Sequence, residues 1–226
     1  MIKALIRKIY RKVKSLIRYF KIRNKPKVFC IGQNKTGTTS MAKIFQLLDM
    51  PVGNQRKAEL LAIDVLNGNY DAFFKYVKNK GLAFQDVPFS KPNIYKILDK
   101  KFPDSKFILT IRDSPEIWYN SLIKFHAKLF GNGEIPKKSD LIKAKYVYPG
   151  WMWEMNRLNY KTPEEDIYNK KILIKQHIDY NNDVIDYFKD QPEKLLVVNL
   201  KEKNAAEKIS NFLQKKLDTI PWENKT

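Results

Sequence analysis

The stretch KVFCIGQNKTGTTS, residues 27–40, joins a short apolar run to a loop that is rich in hydroxyl groups. Its first six residues combine β-branched and aromatic side chains, a composition that predicts a buried β-strand. From Thr39 to Leu48 the apolar side chains recur at helical spacing, and Thr38 or Thr39 is a suitable N-cap. The stretch therefore predicts a strand, a loop and a helix in direct succession.

The loop at residues 32–40 has the composition of an anion-binding site. A loop between a strand and a helix presents backbone N–H groups and the positive end of the helix dipole. Gly37 lets the backbone turn closely around an oxyanion, and Lys35 supplies a positive charge. Further hydrogen-bond donors come from the hydroxyl groups of Thr36, Thr38, Thr39 and Ser40.

The same loop differs from the Walker A loop of nucleotide triphosphatases, which reads G-x-x-x-x-G-K-[ST]. Gly32 and Gly37 have the Walker spacing, but Thr38 stands where the lysine would follow. The lysine of this chain, Lys35, lies two residues before the second glycine instead. This displacement argues against ATP or GTP hydrolysis.

Strands and helices alternate along the rest of the chain. Further strands are predicted at 81–87, 106–111 and 195–200, and helices at 56–79, 93–101, 115–129, 163–188 and 205–216, with a loop at 131–149. This alternation predicts an α/β fold in which a central, mostly parallel sheet carries helices on both faces. Ligands of such sheets bind at the carboxyl ends of the strands, which directs attention to the junctions after Gly32, Asp86 and Ile111.

A second anion-binding pattern begins at the end of the strand at 106–111. Arg112 stands at this strand end, and Ser121 lies more than two turns into the helix that follows. An arginine fork and a hydroxyl group can hold a phosphate together. The alternative is a surface ion pair between Arg112 and Asp113 or Glu116.

The two patterns together resemble the sulfotransferases that use 3′-phosphoadenosine 5′-phosphosulfate (PAPS). The 5′-phosphosulfate loop of that family reads roughly P-K-[ST]-G-T-[ST], and residues 34–39 read Asn-Lys-Thr-Gly-Thr-Thr, with Asn34 in place of the proline. The 3′-phosphate motif of the family is an arginine at a strand end with a serine on the next helix, like Arg112 and Ser121. Residues 195–226 resemble the last strand, helix and closing segment of bacterial members.

The resemblance implies a three-layer P-loop-like fold and sulfuryl transfer from PAPS as co-substrate, with no metal required. It implies that Lys35 is catalytic and neutralises the charge that accumulates on the leaving phosphate oxygen. The residues implied around the 5′ end of PAPS are Lys35, Thr36, Gly37, Thr38, Thr39 and Ser40. Those implied at its 3′-phosphate are Arg112 and Ser121.

An alcohol acceptor needs a general base close to its hydroxyl group. Asp86 is the first candidate, because it ends a predicted strand on the side where the cofactor should bind; its alternative role is to cap the turn before Pro88. Glu59 is the second candidate and His126 the third, although His126 lies deep in a predicted helix. His177 is expected on a helix surface.

Two tryptophans, Trp151 and Trp153, follow the turn residues Pro149 and Gly150. Aromatic faces suit both sugar rings and adenine, so these side chains are candidates for an acceptor platform or lid. The alternative is an ordinary place in the hydrophobic core. The sequence does not distinguish the two.

Residues 2–23 read as one amphipathic helix, with an apolar stripe opposite a basic face. Residues 1–25 contain ten basic residues and no acidic one. A cationic helix with an apolar stripe suits an anionic membrane surface, while packing on the domain and nucleic-acid binding are the alternatives. We therefore predict a basic helix at 1–25 and a sulfotransferase-like α/β domain at 26–226.

Composition limits the remaining classes. The formal net charge is +19, and Cys30 is the one cysteine, which excludes a disulfide framework and makes a zinc cluster improbable with two histidines. No apolar run is long enough for a transmembrane helix. The expected location is cytoplasmic and peripheral, on the inner face of a bacterial cell membrane.

The leading hypothesis is an enzyme that transfers the sulfuryl group of PAPS to a hydroxyl group, or an amine, of an envelope glycan or lipid-linked acceptor. One alternative is a nucleotide kinase-like P-loop enzyme, which should require Mg²⁺ and a triphosphate. The other is a non-catalytic basic module that binds membrane or nucleic acid and releases it steeply as salt rises.

Overall fold

The sheet of this protein has four parallel strands. The computed structural model describes residues 22–221 and, before them, residues 6, 7, 9, 10, 13, 16, 17, 19 and 20. The strands are β1 (Val28–Cys30), β2 (Ala83–Gln85), β3 (Lys106–Ile111) and β4 (Leu195–Asn199). Their order in the sheet is β2-β1-β3-β4, and each neighbouring pair is parallel. The predicted α/β class with a parallel sheet is confirmed.

Helices connect the strands and cover both faces of the sheet. They are α1 (Thr38–Leu47), α2 (Gln55–Glu59), α3 (Ala62–Leu66), α4 (Asp71–Lys80), α5 (Ile94–Lys101), α6 (Pro115–Phe130), α7 (Lys138–Lys143), α8 (Trp151–Asn159), α9 (Lys170–Tyr187) and α10 (Ala205–Leu213).

Side-chain alternation along β1 separates two cores. Phe29 faces an aromatic core that includes Phe84 of β2 and Phe107 of β3, its register partners on either side. Val28 and Cys30 face the opposite core, which α1 and α10 complete. Successive side chains of a strand point to opposite faces, so three residues of β1 are enough to anchor both layers. Both layers are apolar because each face of a parallel sheet is covered.

A third core cluster lies among α3, α6, α8 and α9. Trp118, Trp151 and Leu173 are its fully or nearly fully buried members from α6, α8 and α9. Residues of this cluster also line the cavity described below, so that one wall of the cavity is apolar.

Three segments differ from the sequence-based expectation. The helix predicted at 56–79 is divided into α2, α3 and α4, and Gly68, with a φ of 87°, lies in the turn before α4. The helix predicted at 163–188 begins only at Lys170, because the Asn169 side chain accepts from Ile172 N at 3.0 Å and caps it there. The loop predicted at 131–149 contains the short helix α7.

The helix predicted at 2–23 lies partly outside the described residues. Its described members between 6 and 22 have helical backbone. The apolar side chains among Ile6, Ile9, Val13, Leu16, Ile17 and Phe20 are 50–67 % exposed. These side chains are therefore open to solvent over half or more of their surface. In the described part of the chain, no helix combines the length and the apolarity needed to cross a bilayer.

Candidate active site

The loop after β1 approaches β3 more closely than any side chain would permit. A Cβ atom on Gly32 would lie 2.0 Å from Thr110 Oγ1 and 2.6 Å from the Thr110 carbonyl oxygen. Thr36 then turns the chain, since its hydroxyl donates to the Gln33 carbonyl at 2.6 Å and lies 2.7 Å from Thr110 Oγ1. Gly32 and Thr36 thus fix the loop against the central strand.

Helix α1 begins directly after this turn with its N-terminus open. Gly37 precedes α1 with a φ of 105°, in the left-handed region that favours glycine. No acidic residue occupies the first turn, and no side chain caps it. The N–H groups of Thr38 and Thr39 and the positive end of the α1 dipole are therefore available to an anion.

Side chains from two distant helices hold the loop from outside. Trp118 of α6 donates its indole N–H to the Asn34 carbonyl at 3.0 Å. Its ring stacks on His177 of α9 at a centroid distance of 4.0 Å, and His177 Nδ1 lies 2.6 Å from Gln33 Oε1. Tyr180, also on α9, donates to the Ile31 carbonyl at 2.7 Å. His177, which the sequence pattern placed on a helix surface, is buried, so that prediction is wrong.

Lys35 and Arg112 meet at the mouth of the loop. Arg112 Nε donates to the Lys35 carbonyl at 2.6 Å, and no described residue accepts from its two terminal nitrogens. Asp113 bonds to Asn199 and Lys201 instead, which replaces the ion pair with Arg112 considered above. The Lys35 ammonium lies 3.9 Å from the centre of the Phe125 ring. Burial, and then the Arg112 charge, lower the pKa of Lys35, while Asp86 opposes the shift.

A cavity of about 290 Å³ opens in front of the loop. On its loop side it is lined by Lys35, Gly37, Thr38, Thr39, Ser40 and Arg112. Asp86, directly after β2, also lines it; its carboxylate accepts from Thr38 Oγ1 at 3.1 Å and from Val87 N at 2.9 Å. The cavity therefore lies at the carboxyl ends of β1, β2 and β3, as the sheet topology predicts.

Glu59 forms a second carboxylate of the cavity. It accepts from Tyr146 Oη at 3.2 Å and pairs with Arg56 at 3.0 Å. Burial raises the pKa of Glu59, and the Arg56 charge opposes that shift. Asp86 and Glu59 thus offer two carboxylates of different surroundings in one cavity. Among the described residues, no group of three or more His, Cys, Asp or Glu side chains is arranged to hold a metal ion.

A family model described as a sulfotransferase domain matches residues 27–226. The chain belongs to this family. The match runs from the first residue of the apolar stretch around β1 to the end of the chain and contains the whole cavity. No match to a curated protein was found.

The sulfotransferase cavity brings together most of the residues that the sequence singled out. Two do not line it. Thr36 is buried, and its hydroxyl contacts the Gln33 carbonyl and Thr110 Oγ1 within the protein. The buried hydroxyl of Ser121 on α6 has no hydrogen-bond partner among the described residues. Trp151 lines the cavity and also belongs to the core, whereas Trp153 packs outside it beneath Lys138 and Arg157.

Sequence reasoning missed Lys91, which lines the same cavity and is 6 % exposed. It also missed Phe125 and Tyr146, the rings against Lys35 and Glu59. Lys91 follows β2 by a few residues, so the rule that ligands bind after strand ends would have found it. The two rings come from helix and loop positions that carry no such signal.

Acid should destabilise this sulfotransferase through its two buried histidines. Burial lowers the pKa of His177 to about 4, and burial together with Lys35 and Lys91 lowers that of His126 to about 3. The unfolded chain binds these protons near pH 6.5, so stability is full above that pH and falls as the pH drops towards 4. We expect the free energy of unfolding to fall by roughly 1.4 kcal/mol per pH unit for each histidine over this range.

Urea unfolding between pH 7 and pH 4.5 measures this loss. In the His177→Gln variant, the slope of the free energy of unfolding against pH should decrease by the contribution of one histidine. An unchanged slope in that variant would contradict the assignment of a neutral, buried His177. Both profiles need the same salt concentration, because the basic surface responds to ionic strength.

Proposed function

We propose that this protein transfers the sulfuryl group of PAPS to a hydroxyl group, or an amine, of an envelope glycan or lipid-linked acceptor at a membrane surface. The observation that carries the proposal is the joining of Lys35, the open N-terminus of α1 and Arg112 around one cavity. Membership of the sulfotransferase family supports the reaction class. Residues 26–226 would form the catalytic domain, and residues 1–25 its membrane-binding helix.

Lys35 and the loop would serve the leaving group. In the transfer, the bond between sulfur and the 5′-phosphate oxygen breaks, and its electron pair remains on that oxygen. The Lys35 ammonium and the N–H groups at the start of α1 are fixed before the reaction, so they would stabilise this charge as it develops. Thr38, Thr39 and Ser40 line the cavity beside them and would hold the same phosphate.

Arg112 would select the nucleotide. Its Nε is occupied by the Lys35 carbonyl, which orients the guanidinium and leaves the terminal nitrogens for a bidentate bond to the 3′-phosphate of PAPS. Ser121 is the residue that the family resemblance pairs with Arg112, but its buried hydroxyl does not line the cavity, so the 3′-phosphate assignment depends on Arg112.

Asp86 would act as general base. It would take the proton of the acceptor hydroxyl while the acceptor oxygen forms its bond to sulfur. Thr38 Oγ1 donates to one oxygen of Asp86 and Val87 N to the other, which fixes the carboxylate beside the phosphate loop. Glu59 remains the second candidate, because burial raises its pKa towards the range where a carboxylate is a useful base.

A thermal-shift titration tests the donor assignment. The ligands are 3′-phosphoadenosine 5′-phosphate (the nucleotide product), ADP, and ATP with Mg²⁺. At 100 times the Kd, we expect the 3′-phosphorylated nucleotide alone to raise the Tm by about 5–10 °C. Arg112→Ala should abolish the shift, and Arg23→Ala, which removes an exposed arginine outside the cavity, should preserve it. Equal stabilisation by ATP with Mg²⁺ would indicate the kinase-like alternative.

Vesicle flotation tests the membrane assignment. The exposed apolar stripe and the ten basic residues of 1–25 should bind vesicles that contain anionic phosphatidylglycerol and not vesicles of neutral phosphatidylcholine. Leu16→Glu with Ile17→Glu places charge on the stripe and should release the protein, whereas Leu129→Glu, an exposed leucine on α6, should not. Equal binding of the stripe variant would overturn this part of the proposal.

A further inference from the structure

Lys91 is a buried cation for which the transfer reaction described above has no use. It is 6 % exposed, yet its side chain lines the cavity. No described residue forms a hydrogen bond or an ion pair with its ammonium group, and the one opposite charge that acts on it is that of Asp86. A charge out of water is costly unless it is paired, so this ammonium has binding capacity left for a ligand.

The charges around Lys91 define where that ligand would lie. The charge of Asp86 acts on Lys91, but the Asp86 carboxylate already accepts from Thr38 and Val87. Lys91 and Lys35 line the same cavity as the buried His126 ring, and the charges of both lower the pKa of that ring. His126 is neutral there, since its pKa is about 3. Lys91 is therefore a cation in the same cavity as the loop at residues 32–40, although the two lie far apart in the chain.

Part of the cavity wall is apolar and aromatic. Tyr146, Trp151, Met152, Met155 and Tyr160 line it. The buried indole N–H of Trp151 finds no acceptor among the described residues. The Lys91 ammonium, a donor without an acceptor that lines the cavity, matches a group that only accepts hydrogen bonds. Aromatic and methionine side chains match a ring.

We propose that Lys91 anchors a second oxyanion site in the cavity, and that the acceptor carries a carboxylate or phosphate on a ring. That this ligand is the acceptor of the transfer rests on the proposed function, whereas the oxyanion site itself rests on Lys91 and the cavity. The Lys91 ammonium pairs with the acidic group, and the aromatic wall contacts the ring. Burial lowers the pKa of Lys91 to about 8, so it is mostly a cation at pH 7 even before the ligand arrives.

The test compares two small ring compounds that differ in charge. The probes are 4-hydroxybenzoate and its neutral amide, 4-hydroxybenzamide, each titrated calorimetrically with and without saturating 3′-phosphoadenosine 5′-phosphate. We expect the acid to bind about tenfold more tightly than the amide, because a charged hydrogen bond is added. Lys91→Met keeps the length and apolar stem of the side chain and should remove the preference. Lys100→Met, an exposed lysine on α5 outside the cavity, should keep it.

Inorganic sulfate distinguishes the other source of an oxyanion, the transferred sulfuryl group. If Lys91 served that group, sulfate binding beside the nucleotide product would depend on Lys91, and the preference for the acid would not. That outcome overturns the acidic acceptor, as does equal binding of acid and amide, or binding of neither, by the unaltered protein. Binding of the nucleotide product is the separate readout of the proposed function, and Lys91→Met should preserve it, which also shows that the variant is folded.

Discussion

Lys35→Met is expected to lower kcat for sulfuryl transfer by about 10²–10³-fold, because a preorganised charge is lost where charge develops in the transition state. Binding of the nucleotide product should weaken by only about tenfold, since the helix N-terminus and Arg112 still hold its phosphates. Methionine preserves the stem that contacts Phe125, so the fold should survive. Turnover with PAPS and calorimetric binding of the product measure the two effects separately.

Lys43→Met is the matched control, because Lys43 is an exposed lysine in the middle of α1, the helix that follows Lys35, and does not line the cavity. It should leave both quantities unchanged. A Lys35 variant with unaltered kcat would remove this residue from the reaction. Asp86→Asn in the same assay separates proton transfer from leaving-group stabilisation, since it should lower kcat while binding of the product stays within about threefold.

Gly32→Ala should destabilise the protein by about 3 kcal/mol or more and abolish binding of the nucleotide product. The added Cβ would lie 2.6 Å and 2.7 Å from the carbonyl oxygen and the nitrogen of Thr110, which belong to the central strand β3 and cannot withdraw as a flexible side chain would. Displacing the loop would also break the hydrogen bond between Thr36 and Thr110. Thermal unfolding should show a Tm lower by roughly 6–12 °C.

Gly68→Ala provides the comparison. Gly68 has a φ of 87°, and a Cβ there meets no atom within 4 Å. That variant pays only for the left-handed backbone, about 1–2 kcal/mol, and should bind the nucleotide product normally. If Gly32→Ala were as mild as Gly68→Ala, the close approach of the loop to β3 would not be a determinant of the site.

The anion loop and the order of the fold could be predicted from the sequence because their signals are local. The apolar run of β1 has β-branched and aromatic side chains, and Lys35, Asp86 and Arg112 follow β1, β2 and β3, which places them at one edge of a parallel sheet. Topology then brings them together without any knowledge of side-chain packing. Lys35, Gly37, Asp86 and Arg112 were all identified on that basis.

Packing between distant elements could not be predicted in the same way. His177 lies 144 residues from Gln33 in the chain, and nothing in its own helix indicates that contact. The burial of His177 itself does have a local signal, because it continues the buried stripe of Leu173, Tyr180 and Val184 along α9, whereas its contact with Gln33 has none. The start of α9 at Lys170 likewise depends on a single cap, Asn169, inside a segment whose spacing continues to look helical.

The contacts of Trp118, His177 and Tyr180 with residues 31–34 have a consequence for the dynamics of the loop that follows β1. The carbonyls of Ile31 and Asn34 and the side chain of Gln33 are tied to α6 and α9 before any ligand arrives. A loop that is already ordered loses little conformational entropy on binding. The Thr36 amide, which donates to the Gln33 carbonyl inside this tied loop, should therefore exchange with solvent only when α6 and α9 come away from the sheet, so its exchange rate reports the stability of the whole domain and not local fraying.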